Sequence, residues 1–171
     1  RGAKGWLYEG GIRVPMIVKW PEKFSDSNLI VEEPVISTDF YPSLLDMAGL
    51  PARDEQALDG VSFVPALNGE PFNRGPIFWH FPQYSNHGMQ SPGGAVRFGD
   101  YKLLEYFENN TVQLFNLRED IGERNDLSQT EPVIREELRG LLRSWREDVN
   151  AQMPPRNPDY DPSQYPHTGL P

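Results

Sequence analysis

The chain has 171 residues, a formal charge of −9 and a mean hydropathy of −0.60. That length can bury the core of one domain, but no run approaches the roughly 18–20 apolar residues of a membrane span. The acidic balance argues against nucleic acid as a partner, because backbone phosphates need a basic face, and the absence of cysteine excludes disulfides and a thiol nucleophile.

Lys4 to Gly11 is a glycine-punctuated loop with a single lysine, and Ile12 to Trp20 is an apolar, β-branched run that predicts a buried strand. Gly10-Gly11 offers backbone freedom where loop becomes strand, and Pro15 confines that strand to an edge or a bulge. A lysine on a tight loop at the mouth of a strand is a point charge suited to an anion. Residues 21–34 form a polar connection with a short extended piece at Leu29–Val31. Ser37, Thr38 and Asp39 are candidate caps for a helix over 40–48. Pro42 falls in its first turn, Tyr41, Leu44, Leu45 and Ala48 form its expected buried face, and Gly49 is its natural stop. Asp39 is read as a cap rather than a catalytic carboxylate. Asp59-Gly60 predicts a turn, because both residues tolerate positive φ, and a short helical piece follows.

Beyond about residue 70 the pattern changes from alternating helix and strand to strands followed by one helix, which places a division between 1–70 and 71–150. Residues 77–81 predict an aromatic strand with Ile77, Trp79 and Phe81 on one face and Phe78 and His80 on the other. Ala95–Phe98 and Tyr101–Phe107, joined by Gly99-Asp100, predict a hairpin. Asn109-Asn110 turns the chain into a further strand over 111–117, for an antiparallel sheet of four strands. The connection from Pro82 to Gly94 is long for a compact domain, and such loops are disproportionately functional. It carries Gln83, Tyr84, Asn86, His87 and Gln90 and, with His80 at its root, could line a sugar pocket. The acidic stretch from Phe115 to Leu127 is read as a hydrogen-bonded connection rather than a set of catalytic carboxylates. Pro132 opens the last helix. Its stripe of Ile134, Leu138, Leu141, Leu142, Trp145 and Val149 should cover one face of the sheet, with Arg135, Arg139, Arg143 and Arg146 outward and solvated. Residues 151–171 are proline-rich, either a disordered tail or an extended strap.

Lys-Gly-x-x-Tyr-Glu-Gly-Gly-x-Arg-x-Pro, Lys4 to Pro15, resembles a signature of the sulfatase family, the arylsulfatase branch of the alkaline-phosphatase-like superfamily. The helix from Thr38-Asp39 to Ala48-Gly49, the Asp59-Gly60 stretch, Phe78-Trp79-His80, Gly94-Ala95-Val96-Arg97 with Gly99-Asp100-Tyr101-Lys102-Leu103, and Phe115 to Leu127 resemble further family segments. In the last of these, Ile121-Gly122 departs from the usual proline. The resemblance implies an α/β, alkaline-phosphatase-like fold, of which residues 1–70 are the end of the catalytic domain and 71–150 a C-terminal subdomain.

The resemblance further implies hydrolysis of a sulfate ester of a small molecule or glycan, with Lys4 contacting the sulfate and His80 and His87 near the substrate. A formylglycine nucleophile within Cys/Ser-x-Pro-x-Arg and a calcium ion belong to the family. The pentapeptide is absent here. Both features are expected in an N-terminal part that would be this chain's partner, with no cofactor held by the chain itself and no activity in isolation. The family implies a periplasmic or secreted setting. The same superfamily includes phosphodiesterases and phosphonate hydrolases, and a non-catalytic carbohydrate-binding module is a further alternative.

Overall fold

A computed structural model describes residues 1–24, 29–51, 55–85, 90–155 and 158–159. Its regular elements are four α-helices, α1 (Glu9–Ile12), α2 (Phe40–Met47), α3 (Val64–Leu67) and α4 (Pro132–Asp148), a 3-10 turn over Ser37–Asp39 that leads into α2, and four strands, β1 (Ile77–Phe81), β2 (Gly93–Phe98), β3 (Tyr101–Tyr106) and β4 (Val112–Asn116). The chain divides into two compact units, Arg1–Arg13 with Pro76–Pro171, and Val14–Gly75. The later boundary lies a few residues past the expected division. The first thirteen residues, however, group with the sheet rather than with the segment that follows them.

In the first unit the strands form an antiparallel meander in the order β1-β2-β3-β4, with Ala95 opposite Trp79 and Leu104, and Leu103 opposite Val96 and Leu114. Gly99 has φ +57° and turns β2 into β3, and Asn110 at φ +55° turns β3 into β4. Alternation puts Ala95, Leu104, Tyr106 and Phe115 on one face and Val96, Leu103 and Leu114 on the other. α4 covers the second face with Leu138 and Leu142, and Trp145 stacks on Phe78 at 4.9 Å between ring centroids. Gly94 lies beneath Leu142: a Cβ there would meet that side chain at 3.6 Å, an ordinary contact, and the Trp79 carbonyl oxygen at a tighter 3.1 Å. The helix stops in a Schellman arrangement: Asn150 adopts φ +49° and the Ala151 N–H donates to the Arg146 carbonyl at 2.8 Å. Val149, expected in the buried stripe, is exposed.

The first face is covered by residues 6–8. Leu7 and Tyr8 are buried in its core, with Trp6, Trp79 and Phe81 packed against them. The expected strand over Ile12–Trp20 does not form. Glu9–Ile12 is a single helical turn, residues 13–20 have no regular structure, and Val14 and Ile17 are 78% and 95% exposed. A strand needs neighbours for its backbone donors and acceptors. Among the described residues no strand pairs with this run, and Pro15 offers no donor at all.

The second unit is built on Asp39, which is fully buried. Its carboxylate accepts the N–H groups of Ile36 (2.8 Å) and Val61 (3.0 Å) and a bidentate pair from Arg74, at 3.1 Å from Nε and 2.9 Å from Nη2. No first-turn amide of α2 reaches the side chain, so Asp39 is a knot between three segments rather than the expected side-chain cap. Gly60 is required by closeness, not by positive φ: a Cβ there would lie 2.1 Å from the Thr38 carbonyl oxygen. The buried face of α2 also differs from the expected stripe. Tyr41 and Leu44 are exposed, while Ser43 is buried, donating to the Asp39 carbonyl at 2.6 Å and accepting from the Phe63 N–H at 2.9 Å. A satisfied serine can occupy a core position that hydropathy assigns to leucine. Gly49 at φ +66° ends the helix as expected, with the Leu50 N–H donating to the Leu45 carbonyl at 2.9 Å.

Candidate functional site

Lys4 sits at the second position of a tight turn closed by the Trp6 N–H donating to the Ala3 carbonyl at 3.1 Å, with Gly5 in the third position at φ +93°. A glycine at that place is what a type II turn requires. The Lys4 side chain is exposed and has no hydrogen bond or ion pair to any described residue.

The turn itself is tightly confined. The Gly10 N–H donates to the Arg1 carbonyl at 2.9 Å. A Cβ on Gly10 would lie 2.4 Å from the Gly2 carbonyl oxygen, and one on Gly11 would lie 2.2 Å from that of Trp6 and 2.6 Å from that of Ala3. Contacts that short do not occur, so the Gly-Gly pair exists because the lysine turn lies directly on it. Neither glycine uses positive φ, which replaces the expectation of backbone freedom by one of close approach. The Arg1 guanidinium lies 4.9 Å from the centre of the Tyr8 ring, and the Leu7 N–H donates to Gln90 Oε1 at 3.0 Å. Gln90, expected to recognise substrate, is buried and serves this anchor.

Beneath the turn lies a buried charge cluster that the sequence reading missed. Lys102 is fully buried, and its Nζ lies 2.9 Å from Glu9 Oε1 and 2.9 Å from Glu123 Oε1. Glu123 Oε2 accepts the Glu9 N–H at 2.7 Å. Arg97 Nη1 is 3.9 Å from Glu9 Oε2, so two carboxylates face two cations. The signal was present: on its own strand Lys102 shares a face with Leu104 and Tyr106, and a buried ammonium must find a carboxylate. The rest of the acidic stretch is the hydrogen-bonded connection expected of it. The Asn125 and Arg124 amides donate to Asp120 Oδ2 at 2.8 and 2.7 Å and hold its carboxyl below the usual carboxylate range. Asp126 Oδ1 accepts from the Leu114 and Ser128 amides.

His80 lies on the opposite face from the residues that carry the Lys4 turn. Its Nε2 lies 2.8 Å from the Gln152 carbonyl, which can only accept, so Nε2 carries the proton; Nδ1 is buried with no partner among the described residues. Its ring packs on Phe107 at 5.6 Å, and Phe107 in turn lies under the Arg146 guanidinium. The structure therefore does not bring Lys4 and His80 onto one face. His87 and Asn86 lie outside the described residues.

The helix arginines are not a solvated row. Arg139 Nε donates to Glu105 Oε1 at 2.9 Å, Arg146 Nη2 donates to Glu105 Oε2, and Arg135 Nη1 donates to the Ser128 carbonyl at 2.8 Å. Burial pushes the Glu105 carboxyl up, but Arg146 and then Arg139 outweigh it and hold it below its ordinary value.

Among the described residues no group of three or more His, Asp or Glu side chains could hold a metal ion, and none of the helices is long and apolar enough to cross a membrane.

The family model described as N-sulphoglucosamine sulphohydrolase, C-terminal, matches residues 3–148. The chain is 33% identical over 162 residues to a sulfatase of Formosa agariphila, covering 86% of this chain and 29% of that protein. Among solved structures it resembles a 2-O GAG sulfatase (TM-score 0.56, 29% identity, 76% of this chain and 28% of the other). It also resembles Ps i-CgsB in complex with k-i-k-neocarrahexaose (TM-score 0.56, 28% identity, 69% and 25%). The chain belongs to the sulfatase family and corresponds to a C-terminal portion of it. It spans less than a third of the length of each of these relatives.

Proposed function

We propose that this chain is the C-terminal part of an enzyme that hydrolyses a sulfate ester of a carbohydrate, and that Lys4 is the cation it contributes to the sulfate group. One observation carries the reading. Lys4 is exposed and unpaired among the described residues, yet its turn is confined by two glycines that have no room for a Cβ. A surface lysine with no task would not need such a seat. An ammonium carried on a fixed turn favours the negative oxygens of a sulfate and the charge that develops as the ester bond breaks. The likeness to a GAG sulfatase and to a protein solved with a neocarrahexaose supports a glycan as the substrate class.

In the full-length protein, Lys4→Ala should lower turnover of a nitrophenyl sulfate by about 10²–10³, the effect of removing one charge-stabilising donor. Turnover within about twofold of wild type would remove Lys4 from the reaction. Nitrophenyl phosphate measured alongside tests the ester: a preference for phosphate would overturn the assignment to sulfate, since one lysine cannot distinguish two near-isosteric anions.

A further inference from the structure

The buried Glu9–Lys102–Glu123 cluster adjoins the segment that carries Lys4, and its geometry is that of a brace. Glu9 is five residues from Lys4 and stands two residues after Leu7, whose amide is itself tied to Gln90. Glu123 holds that point twice: Oε2 takes the Glu9 N–H at 2.7 Å, and Oε1 shares Lys102 with the Glu9 side chain. Lys102 comes from β3, in the rigid middle of the sheet, and Glu123 from the connection after β4. Glu123 also adopts φ +53°, a conformation uncommon for a residue with a side chain. Satisfying the Glu9 N–H alone would need only an acceptor, and filling the space would need only an apolar side chain. A cation closed between two carboxylates fixes a distance and a direction as well.

We infer that Glu123 and Lys102 are positioning residues that fix the Lys4 turn through Glu9, so that the C-terminal sheet sets where the sulfate-contacting ammonium stands. This rests on the reading of Lys4 given under Proposed function. Neither residue touches substrate. Their effect on turnover passes through the place of the turn, and displacement of a reacting group by an ångström is costly.

The test is a double-mutant cycle in the full-length protein with a nitrophenyl sulfate. Glu123→Gln keeps the shape and one acceptor for the Glu9 N–H but removes the charge that pairs with Lys102. It should lower kcat by about tenfold to a hundredfold with Lys4 present, and by less than about twofold in a Lys4→Ala background. Equal factors in both backgrounds, or no loss of kcat in either, would overturn the inference. Lys4→Ala alone reports separately on the sulfate reading: full turnover there sinks that reading and this one together, whereas a normal Lys4→Ala loss with an additive cycle sinks only this one. Hydrogen exchange gives a second readout independent of turnover. The amides of residues 5–10 should exchange faster in Glu123→Gln while those of β2 and β3 do not, and unchanged exchange at 5–10 would count against the brace. Glu9→Gln, which leaves the Glu123 hold on the Glu9 N–H intact, runs in parallel in case Glu123→Gln folds poorly, with the same non-additivity expected.

Discussion

The two faces of the sheet carry inverse arrangements of charge. On one, a lysine is closed between two carboxylates, Glu9 and Glu123. On the other, a carboxylate, Glu105, is closed between two guanidiniums, Arg139 and Arg146. The first is fully buried at Lys102 and Glu123 and joins β3 to a segment 93 residues earlier in the chain. The second stands at the edge of an ordinary amphipathic helix, and Arg139 remains substantially exposed. Similar chemistry thus serves two ends. The buried cluster cannot lose one member without stranding the others, whereas the clamp on α4 adds to a contact already secured by Leu138, Leu142 and Trp145.

The sharpest way to break this contrast is to remove the buried cation. Lys102→Met leaves two carboxylates facing each other without their shared partner, and the expected cost is about 3–5 kcal/mol of local stability. It should be read in the full-length protein as faster exchange of the β3 and β4 amides, together with loss of turnover. A loss under about 1 kcal/mol would mean that water or a cation replaces the ammonium, and the cluster would not be the closed unit described. Next in size is Leu142→Ala on the helix face, where a fully buried side chain is cut back against Gly94. It should cost about 2–5 kcal/mol in exchange protection of α4 and β2. Turnover per folded molecule should stay near wild type, because Leu142 lies on the face away from the lysine turn. A turnover loss as large as that of Lys102→Met would erase the distinction between the faces.

How much of this was legible in the sequence depended on whether the signal was local. The hairpin at Gly99-Asp100, the turn at Asn110, the Schellman stop at Gly49 and the helix opening at Pro132 were all readable, because each is decided within a few residues. The four-stranded sheet and the helix that covers it followed from alternation and from the Leu138–Leu142 stripe. The Ile12–Trp20 run misled because composition states a preference for strand without stating whether a neighbour exists to pair with. Tyr41 and Leu44 misled because hydropathy cannot see that Ser43 and Asp39, once satisfied, take the buried face. At the candidate site, Lys4 and its glycines were legible as a motif, but the reason for Gly10-Gly11 was not. Close approach of two backbones, unlike a positive φ, leaves no trace in the sequence beyond the glycine itself. Lys102 and Glu123 were the larger omission. Their pairing with Glu9 spans most of the chain, and only a lysine stranded on an apolar strand face hinted at it.

The smallest expected effect concerns pH, and it bears on the helix face alone. Glu105 has its carboxyl held below the usual carboxylate value of 4.5 by Arg146 and Arg139, against the upward push of burial. A carboxyl depressed in the folded state stabilises that state wherever the unfolded chain would be ionised, that is, above about pH 4.5. The contribution falls away as pH drops from there through the folded value, because the folded protein must then take up a proton that breaks the clamp. Above that window it is constant. The free energy of opening the β3 amides, from hydrogen exchange corrected for intrinsic rates, should therefore differ between wild type and Glu105→Gln by a fixed amount from pH 7 to 5. The difference should shrink toward zero as pH falls below about 4.5. A difference that stayed flat into acid would mean that Glu105 acts through packing and not through its charge, and the inverse symmetry of the two faces would be one of shape only.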